Sequence, residues 1–275
     1  MMAGAFPPDP KLAMPPDAEI PRLTEALHAA APRLAELGAA LFARPAHAHV
    51  DGIDAHEFAA RSLPLAALDA ALGASAFAAC LPPALQRSVR SRQLGWIGGR
   101  LCAEHALAAL GHTSHGVPRG DGGEPLWPAA VAGSITHTDA AAHALVVRRA
   151  DCAGVGIDSE HVLDTAAQSD VASVCCSAAE RAAWLDGSDA LVRTTIVFAA
   201  KESFYKAAYP SVRRFIDFDE VDVVAWNVAG GTLVLRCADR LAPPGTLVTA
   251  HYRVDGPAEV HARIVLDATL AARLR

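Results

Sequence analysis

The sequence has few of the patterns that mark a zinc-bound or disulfide-rich protein. Its 275 residues include six cysteines, but there is no CxxC pair and no spacing typical of a zinc site. We therefore expect reduced, mostly buried thiols, as in a cytosolic protein. The six are Cys80, Cys102, Cys152, Cys175, Cys176 and Cys237.

The sequence also lacks a surplus of basic charge, a long apolar run and a secretory leader. The net charge of −6 argues against a nucleic-acid-binding protein, which usually has an excess of Lys and Arg. No run of about 18 apolar residues is free of charge, so we expect no membrane span. Residues 1–20 lack the basic segment and apolar core of a signal peptide, and their prolines predict a mobile N-terminal arm. These absences predict a cytoplasmic protein.

The chain does have the composition of a globular protein, with 52% hydrophobic and 20% charged residues. Residues 84–111 predict a helix that ends at Gly111, and residues 177–206 predict a helical stretch that breaks near Asp186 and Gly187. Strand-like segments lie between residues 132 and 162 and again after residue 220. This order favours an α+β fold, with a boundary near residue 150 that separates an N-terminal half, 21–150, from a C-terminal half, 151–275.

A pair of carboxylates lies in the segment "VGIDSEHV". Asp158 and Glu160 are two residues apart, so on a strand both side chains point to one face, about 6.6 Å apart along the backbone. Two like charges in this arrangement are tolerated in water, or they bind a hard cation between them. The motif alone leaves open whether it is the polar end of a strand or a metal site.

A second group of charges lies in "FAAKESFYK", residues 198–206. At helical spacing Phe198, Glu202 and Lys206 share one face, which also fits an ordinary surface ion pair worth about 0.2–0.5 kcal/mol. Glu202 would add a third carboxylate to a Mg²⁺ site, and Lys201 and Lys206 would attract phosphate.

The two segments resemble the paired signature of the 4′-phosphopantetheinyl transferases, G-[IV]-D-x-E followed by [WF]-x-x-K-E-x-x-x-K. "GIDSE" precedes "FAAKESFYK" by some forty residues, and the upstream "GEPLWP" and "GSITHTD" are similar to a third block of that family. The order of the three blocks is most similar to the larger, pseudo-dimeric class that includes enterobactin synthase component D. The resemblance covers roughly residues 80–220.

The resemblance implies a pseudo-dimer of two similar α+β halves with coenzyme A in the cleft between them. It also implies that Asp158, Glu160 and Glu202 bind Mg²⁺, that Glu202 deprotonates the attacking serine, and that Lys206 contacts the pyrophosphate of coenzyme A. Further residues match the family's coenzyme A contacts, although the 3′-phosphate could be bound by Arg90 or by Arg92. These implied contacts are Arg90, Arg92, Arg119, Gly123, Glu124, Pro125, Ser134, Thr136, His137, Lys201 and Lys206.

The implied reaction moves 4′-phosphopantetheine from coenzyme A to a serine of an apo acyl-carrier or peptidyl-carrier protein and releases adenosine 3′,5′-bisphosphate. The expected enzyme is a monomer that serves siderophore, polyketide or nonribosomal peptide synthesis. Two other classes fit the same residues: a Mg²⁺-dependent hydrolase of a nucleotide-containing cofactor, and a non-catalytic coenzyme A-binding protein.

Overall fold

The structure is a computed structural model, and it describes residues 58–71, 81–82, 85–112, 117–120, 122–256 and 258–275. The N-terminal arm predicted for residues 1–20 lies outside these ranges, as does Cys80. The described residues divide into two units, Phe58–Val146 and Val147–Arg275. The predicted boundary near residue 150 and this division lie within a few residues of each other.

Helices and strands are mixed in both units, which confirms the predicted α+β class. The first unit contains β1 (Phe58–Pro64), α1 (Leu65–Ala71), α2 (Arg90–Ala109), β2 (Val131–His137) and β3 (Ala141–Arg148), whose last residues pass the boundary. The second contains β4 (Gly154–His161), α3 (Thr165–Cys175), α4 (Ala178–Trp184), α5 (Ala190–Val212), a 3-10 turn (Phe218–Glu220), β5 (Val221–Asn227), β6 (Thr232–Cys237), β7 (Leu247–Asp255), β8 (Glu259–Leu266) and α6 (Ala268–Ala271).

The first unit packs α2 against a three-stranded sheet of order β1-β3-β2. The helix begins at Arg90, later than the predicted residue 84, because residues 86–88 form a turn and a bend. It ends where predicted: Gly111 has a φ of +77°, a left-handed conformation that glycine adopts without steric cost. Leu63, Ile97 and Leu107 are almost completely buried between helix and sheet.

The second unit is built on an antiparallel five-stranded sheet of order β4-β8-β7-β6-β5. Helix α5 lies across β4 and β8 and buries Phe204 completely against them. Full burial of an aromatic side chain of this size contributes about 1.5–3 kcal/mol to stability. The helix is therefore held against the edge strand that carries Asp158 and Glu160.

The helical stretch 177–206 is interrupted at the predicted place. Helix α4 ends at Trp184 and α5 begins at Ala190, with Gly187 between them at a φ of +96°. Among the described residues, no helix is long and apolar enough to cross a lipid bilayer.

Candidate functional site

Asp158 and Lys206 form the centre of the acidic cluster in the second unit. The Lys206 Nζ donates a hydrogen bond to Asp158 Oδ1 at 2.6 Å and another to the carbonyl of Ile157 at 3.0 Å. The Asp158 side chain is 5% exposed and that of Lys206 is 26% exposed. A charge-assisted bond between two such groups is stronger than a bond between neutral partners, so it ties α5 to the edge strand β4.

Glu160 and Glu202 lie close enough to Asp158 for its charge to shift their pKa values. Burial, with the Asp158 carboxylate, raises the pKa of Glu160 to about 8, and the same two causes raise the pKa of Glu202 to about 7. Burial by itself lowers the pKa of Lys206, but the carboxylates of Asp158 and Glu202 raise it above its ordinary value. One ammonium therefore faces three carboxylates, and the cluster has a deficit of positive charge.

Two glycines of β4 explain why this strand comes so close to the helix. A Cβ atom on Gly156 would lie 1.8 Å from the Ser203 carbonyl oxygen, and one on Gly154 would lie 2.2 Å from the Ala207 carbonyl oxygen. Any larger residue would push the strand away from α5. The glycine of the "GIDSE" motif thus sets the distance between Asp158 and the helix that carries Glu202 and Lys206.

The donor set fits Mg²⁺ by its chemistry, and the metal site expected at Asp158, Glu160 and Glu202 stays a prediction. Carboxylate oxygens are the ligands that Mg²⁺ prefers, and the charge deficit favours a cation. In the described part of the chain, however, no group of three or more His, Cys, Asp or Glu side chains is placed to hold a metal ion. The Lys206 ammonium occupies one oxygen of Asp158.

The predicted role of Lys201 as a phosphate contact is corrected by the structure. Its side chain is 1% exposed and forms an ion pair of 2.9 Å with Glu180. Its ammonium also donates to the carbonyls of Cys175 at 2.8 Å and Phe218 at 3.1 Å. All three protons of the ammonium have protein acceptors. Lys201 therefore faces the interior of the unit, while Glu202 faces the cluster.

In the first unit, hydrogen bonds among residues 119–120 and 122–125 bring a cation, Arg119, and an anion, Glu124, close together. The Gly120 nitrogen donates to the Glu124 carbonyl at 2.7 Å, and Arg119 and Pro125 form an isolated β-bridge. A Cβ on Gly123, where φ is +89°, would lie 2.9 Å from the Arg119 guanidinium. The backbone bonds of this loop therefore hold together the residues that were predicted to contact coenzyme A.

The predicted histidine block is split between the two faces of β2. Ser134 and Thr136 are buried, at 2% and 5% exposure, whereas His137 points to the other face. There its imidazole lies over α2, at a position where a Cβ on Gly95 would be 2.6 Å from Nδ1. The alternation of a strand thus allows His137, but not Thr136, to present its side chain beside the helix.

The two arginines that the sequence left open have different surroundings in the structure. Arg90 is bound to Asp69 through its Nε, at 3.0 Å, and through a second, shorter contact. Arg92 is exposed and has no hydrogen-bond or ion-pair partner among the described residues. Of these two arginines, Arg92 is the one whose charge is unpaired within the part of the chain that the structure describes.

Arg100 was missed by sequence reasoning. It is 7% exposed, its guanidinium lies 5.1 Å from the Trp96 ring centroid, and its Nε has no hydrogen-bond partner in the described residues. Burial, followed by the charge of Arg119, lowers the pKa of Arg100 to about 10, although the Glu104 carboxylate opposes the shift. A buried guanidinium with an unpaired Nε beside a second arginine is a candidate contact for an anion. The signal was the spacing of Arg92, Trp96 and Arg100, four residues apart on one helix face.

Comparison with known proteins gives two family matches that meet near the boundary between the units. Residues 81–147 match the 4′-phosphopantetheinyl transferase N-terminal domain, and residues 154–253 match the 4′-phosphopantetheinyl transferase superfamily. The second match includes Asp158, Glu160, Glu202 and Lys206.

Several individual proteins are similar to this chain. The 4′-phosphopantetheinyl transferase PptT of Mycobacterium tuberculosis is 33% identical over 181 residues, which cover 63% of this chain and 79% of the relative. The transferase Npt of Nocardia iowensis is 36% identical over 50% of this chain and 62% of its own length. Enterobactin synthase component D of Escherichia coli is 31% identical over 52% of this chain and 66% of its own length. The match thus spans just under two thirds of the last two relatives.

Proposed function

Because the chain belongs to the 4′-phosphopantetheinyl transferase superfamily, we propose that it transfers 4′-phosphopantetheine from coenzyme A to a serine of an apo carrier protein. One observation carries the proposal. The hydrogen bond between Lys206 and Asp158 brings together, on two packed elements, the two motifs that lie about fifty residues apart in sequence. Glu202, one helical turn before Lys206, faces the same cluster.

The reaction is a phosphoryl transfer in which the serine oxygen attacks the phosphorus that carries pantetheine. The new bond joins serine oxygen to this phosphorus, and the bond from the phosphorus to the bridging oxygen breaks. Adenosine 3′,5′-bisphosphate leaves with the bridging oxygen. Glu202 accepts the serine proton, and Lys206 neutralises charge on the pyrophosphate as it separates. To do so, the Lys206 ammonium must share its protons between Asp158 and phosphate.

We propose that Asp158, Glu160 and Glu202 bind Mg²⁺. When bound, the ion would neutralise charge on the phosphate oxygens and supply the positive charge that the three carboxylates lack. Support comes from the raised pKa values of Glu160 and Glu202, whose causes are burial and the neighbouring carboxylates. The aspartate and the two glutamates would then hold their anionic form at neutral pH.

The first unit is proposed to bind the nucleotide part of coenzyme A. Arg92, Arg100, Arg119 and His137 would contact phosphate groups, since an anion would supply the partner that the buried Nε of Arg100 lacks among the described residues. Gly123, Glu124 and Pro125 would lie beside the adenine. Ser134 and Thr136 would support this site from the buried face of β2.

The partner would be an apo acyl-carrier or peptidyl-carrier protein. The candidate pathways are siderophore, polyketide and nonribosomal peptide synthesis, and one relative is named enterobactin synthase component D. We further propose a monomer that works in the cytoplasm, where the thiols of the five described cysteines would stay reduced.

Intact-mass measurement of apo carriers, incubated with the protein, coenzyme A and Mg²⁺, tests the proposal. We expect one phosphopantetheinyl group to be added to a carrier serine and adenosine 3′,5′-bisphosphate to be released in equal amount. Release of nucleotide without any carrier would identify a hydrolase instead. Unchanged carriers and intact coenzyme A, across acyl-carrier and peptidyl-carrier proteins, would contradict the proposal.

A further inference from the structure

A buried ion pair lies in the same unit as the acidic cluster, and one of its members, Lys201, directly precedes Glu202 in sequence. Glu180 and Lys201 are each 1% exposed, and their charged atoms are 2.9 Å apart. Isolated charges at such depth are costly, and a buried pair of this kind is often no better for stability than apolar residues of the same volume. The free energy of unfolding is therefore a weak explanation for the pair.

The geometry of the pair gives a better explanation, which is that the pair fixes the direction of a side chain. The Lys201 ammonium is bonded in three directions: to Glu180, to the Cys175 carbonyl at the end of α3, and to the Phe218 carbonyl in the 3-10 turn. Three directional bonds to three separate segments fix where the side chain points, and thereby fix the rotation of α5 about its own axis.

Glu180 is anchored just as firmly. Its Oε1 accepts a hydrogen bond from the Val223 nitrogen on β5 at 2.7 Å, and its Oε2 accepts one from the Ser177 nitrogen at 2.7 Å. The second bond completes a capping box at the start of α4, because the Ser177 hydroxyl accepts from the Glu180 nitrogen at 3.3 Å. The carboxylate thus ties Lys201 to the start of α4 and to β5, the edge strand opposite β4.

The glycines of β4 cannot perform this task. Gly154 and Gly156 let α5 approach the strand closely, but these contacts include no directional bond that would fix the rotation of the helix. Consecutive helical residues point about 100° apart, so the direction of Lys201 sets the direction of Glu202. A small rotation of α5 would move the Glu202 carboxylate away from Asp158.

We infer that Glu180 and Lys201 are positioning residues, which hold α5 at the rotation that turns Glu202 toward Asp158, where the proposed metal ion would bind. The inference rests on the proposed function. Neither residue touches a reacting atom, and both act through Glu202.

The test measures Mn²⁺ binding to the full chain by electron paramagnetic resonance, without coenzyme A or carrier. Glu180→Gln keeps the size of the side chain and removes its charge, and we expect the Mn²⁺ dissociation constant to rise about tenfold, as for groups that orient metal ligands. The matched control is Arg214→Gln, which removes the cation from Glu220, a buried carboxylate of the same unit bound at 2.8 Å. That variant should lose stability but keep its Mn²⁺ affinity.

The double variant Glu180→Gln/Lys201→Met separates position from stability. Without either charge, its melting temperature should recover toward that of the wild type, while its Mn²⁺ affinity should stay low because no directional bond remains. A role in stability alone predicts that both recover together. If these variants do not fold, Glu180→Asp takes their place, because it keeps the charge on a shorter side chain. Its Mn²⁺ affinity should then be lower than that of the wild type.

In the transfer assay, kcat should fall with Mn²⁺ affinity, while KM for the carrier should stay within about twofold of the wild type. Equal Mn²⁺ affinity in the wild type and the folded variants would overturn the inference, as would a wild-type protein that binds no Mn²⁺ at millimolar concentration. A wild type that binds Mn²⁺ but modifies no carrier would overturn the proposed function alone.

Discussion

The Lys206 ammonium donates to the Asp158 carboxylate at 2.6 Å, and this bond joins the helix α5 to the edge strand β4. It pairs a half-buried cation with a buried anion in the middle of an acidic cluster. The pair therefore affects both the stability of the unit and the charge that a substrate phosphate would meet.

Lys206→Met tests the first of these effects. The change keeps the packing of the side-chain stem but leaves Asp158 buried without its cation, so we expect a loss of about 3 kcal/mol in the free energy of unfolding in the presence of EDTA. Added Mg²⁺ should restore part of it, because a divalent ion supplies the missing charge. Urea denaturation with and without Mg²⁺ measures both. The control Asp158→Asn/Lys206→Met should regain stability without regaining transfer. If Lys206→Met alone were as stable as the wild type in EDTA, the ion pair would contribute little to the free energy of unfolding.

Gly156→Ala tests the close approach of strand and helix. The new Cβ would meet the Ser203 carbonyl oxygen, a backbone atom that cannot move aside, so we expect a loss of about 1–3 kcal/mol in stability together with a loss of transfer. Gly230→Ala is the matched control, since its Cβ would meet only the flexible Asn227 side chain. Thermal unfolding of both variants decides the point, and equal melting temperatures would refute the packing argument.

Arg100→Met tests the anion site of the first unit. Wild-type protein should use dephospho-coenzyme A about tenfold less efficiently than coenzyme A, because cationic groups lose their anion. In Arg100→Met we expect this ratio of kcat/KM values to approach one. Arg90→Met, which removes an arginine already bound to Asp69, should keep the wild-type ratio. Wild-type protein that uses both substrates equally well would exclude a 3′-phosphate site at these arginines.

Glu220 provides a pH-dependent contribution to stability. Hydrogen bonds from Arg214 hold the pKa of Glu220 below its ordinary value. The folded state therefore binds the proton less tightly than the unfolded state, so this stabilisation is present above the ordinary pKa and is lost as the pH falls through the lowered one. In urea, Arg214→Gln should be less stable than the wild type at neutral pH, and the difference should shrink in acid. Arg236→Gln, from an exposed pair with Asp222, should show no such difference. A constant gap at all pH values would argue against the linkage.

Sequence reasoning succeeded where a periodic pattern was sufficient. The α+β class, the break between α4 and α5, and the stop at Gly111 follow from the positions of apolar residues and glycines. The strand register of "GIDSE" also follows, because alternation alone puts Asp158 and Glu160 on one face.

Sequence reasoning failed where burial decides the role of a charge. Lys201 and Lys206 look alike in "FAAKESFYK", but only the packed structure shows that one ammonium is enclosed with Glu180 and the other faces the cluster. Arg100 was missed for the same reason, since a buried guanidinium on a helix looks like a solvated one until its neighbours are known. The Asp69 partner of Arg90 lies 21 residues away, beyond any local pattern.

The most direct test of the whole account is the rate at which Glu202→Gln converts an apo carrier to its holo form, followed by intact mass with coenzyme A and Mg²⁺. Glutamine keeps the size and the helix propensity of glutamate but cannot take the serine proton or offer an anionic ligand, so the variant should fold like the wild type. We predict that its transfer rate falls at least about a hundredfold. A folded Glu202→Gln protein that modifies the carrier at the wild-type rate would contradict the assignment of this site.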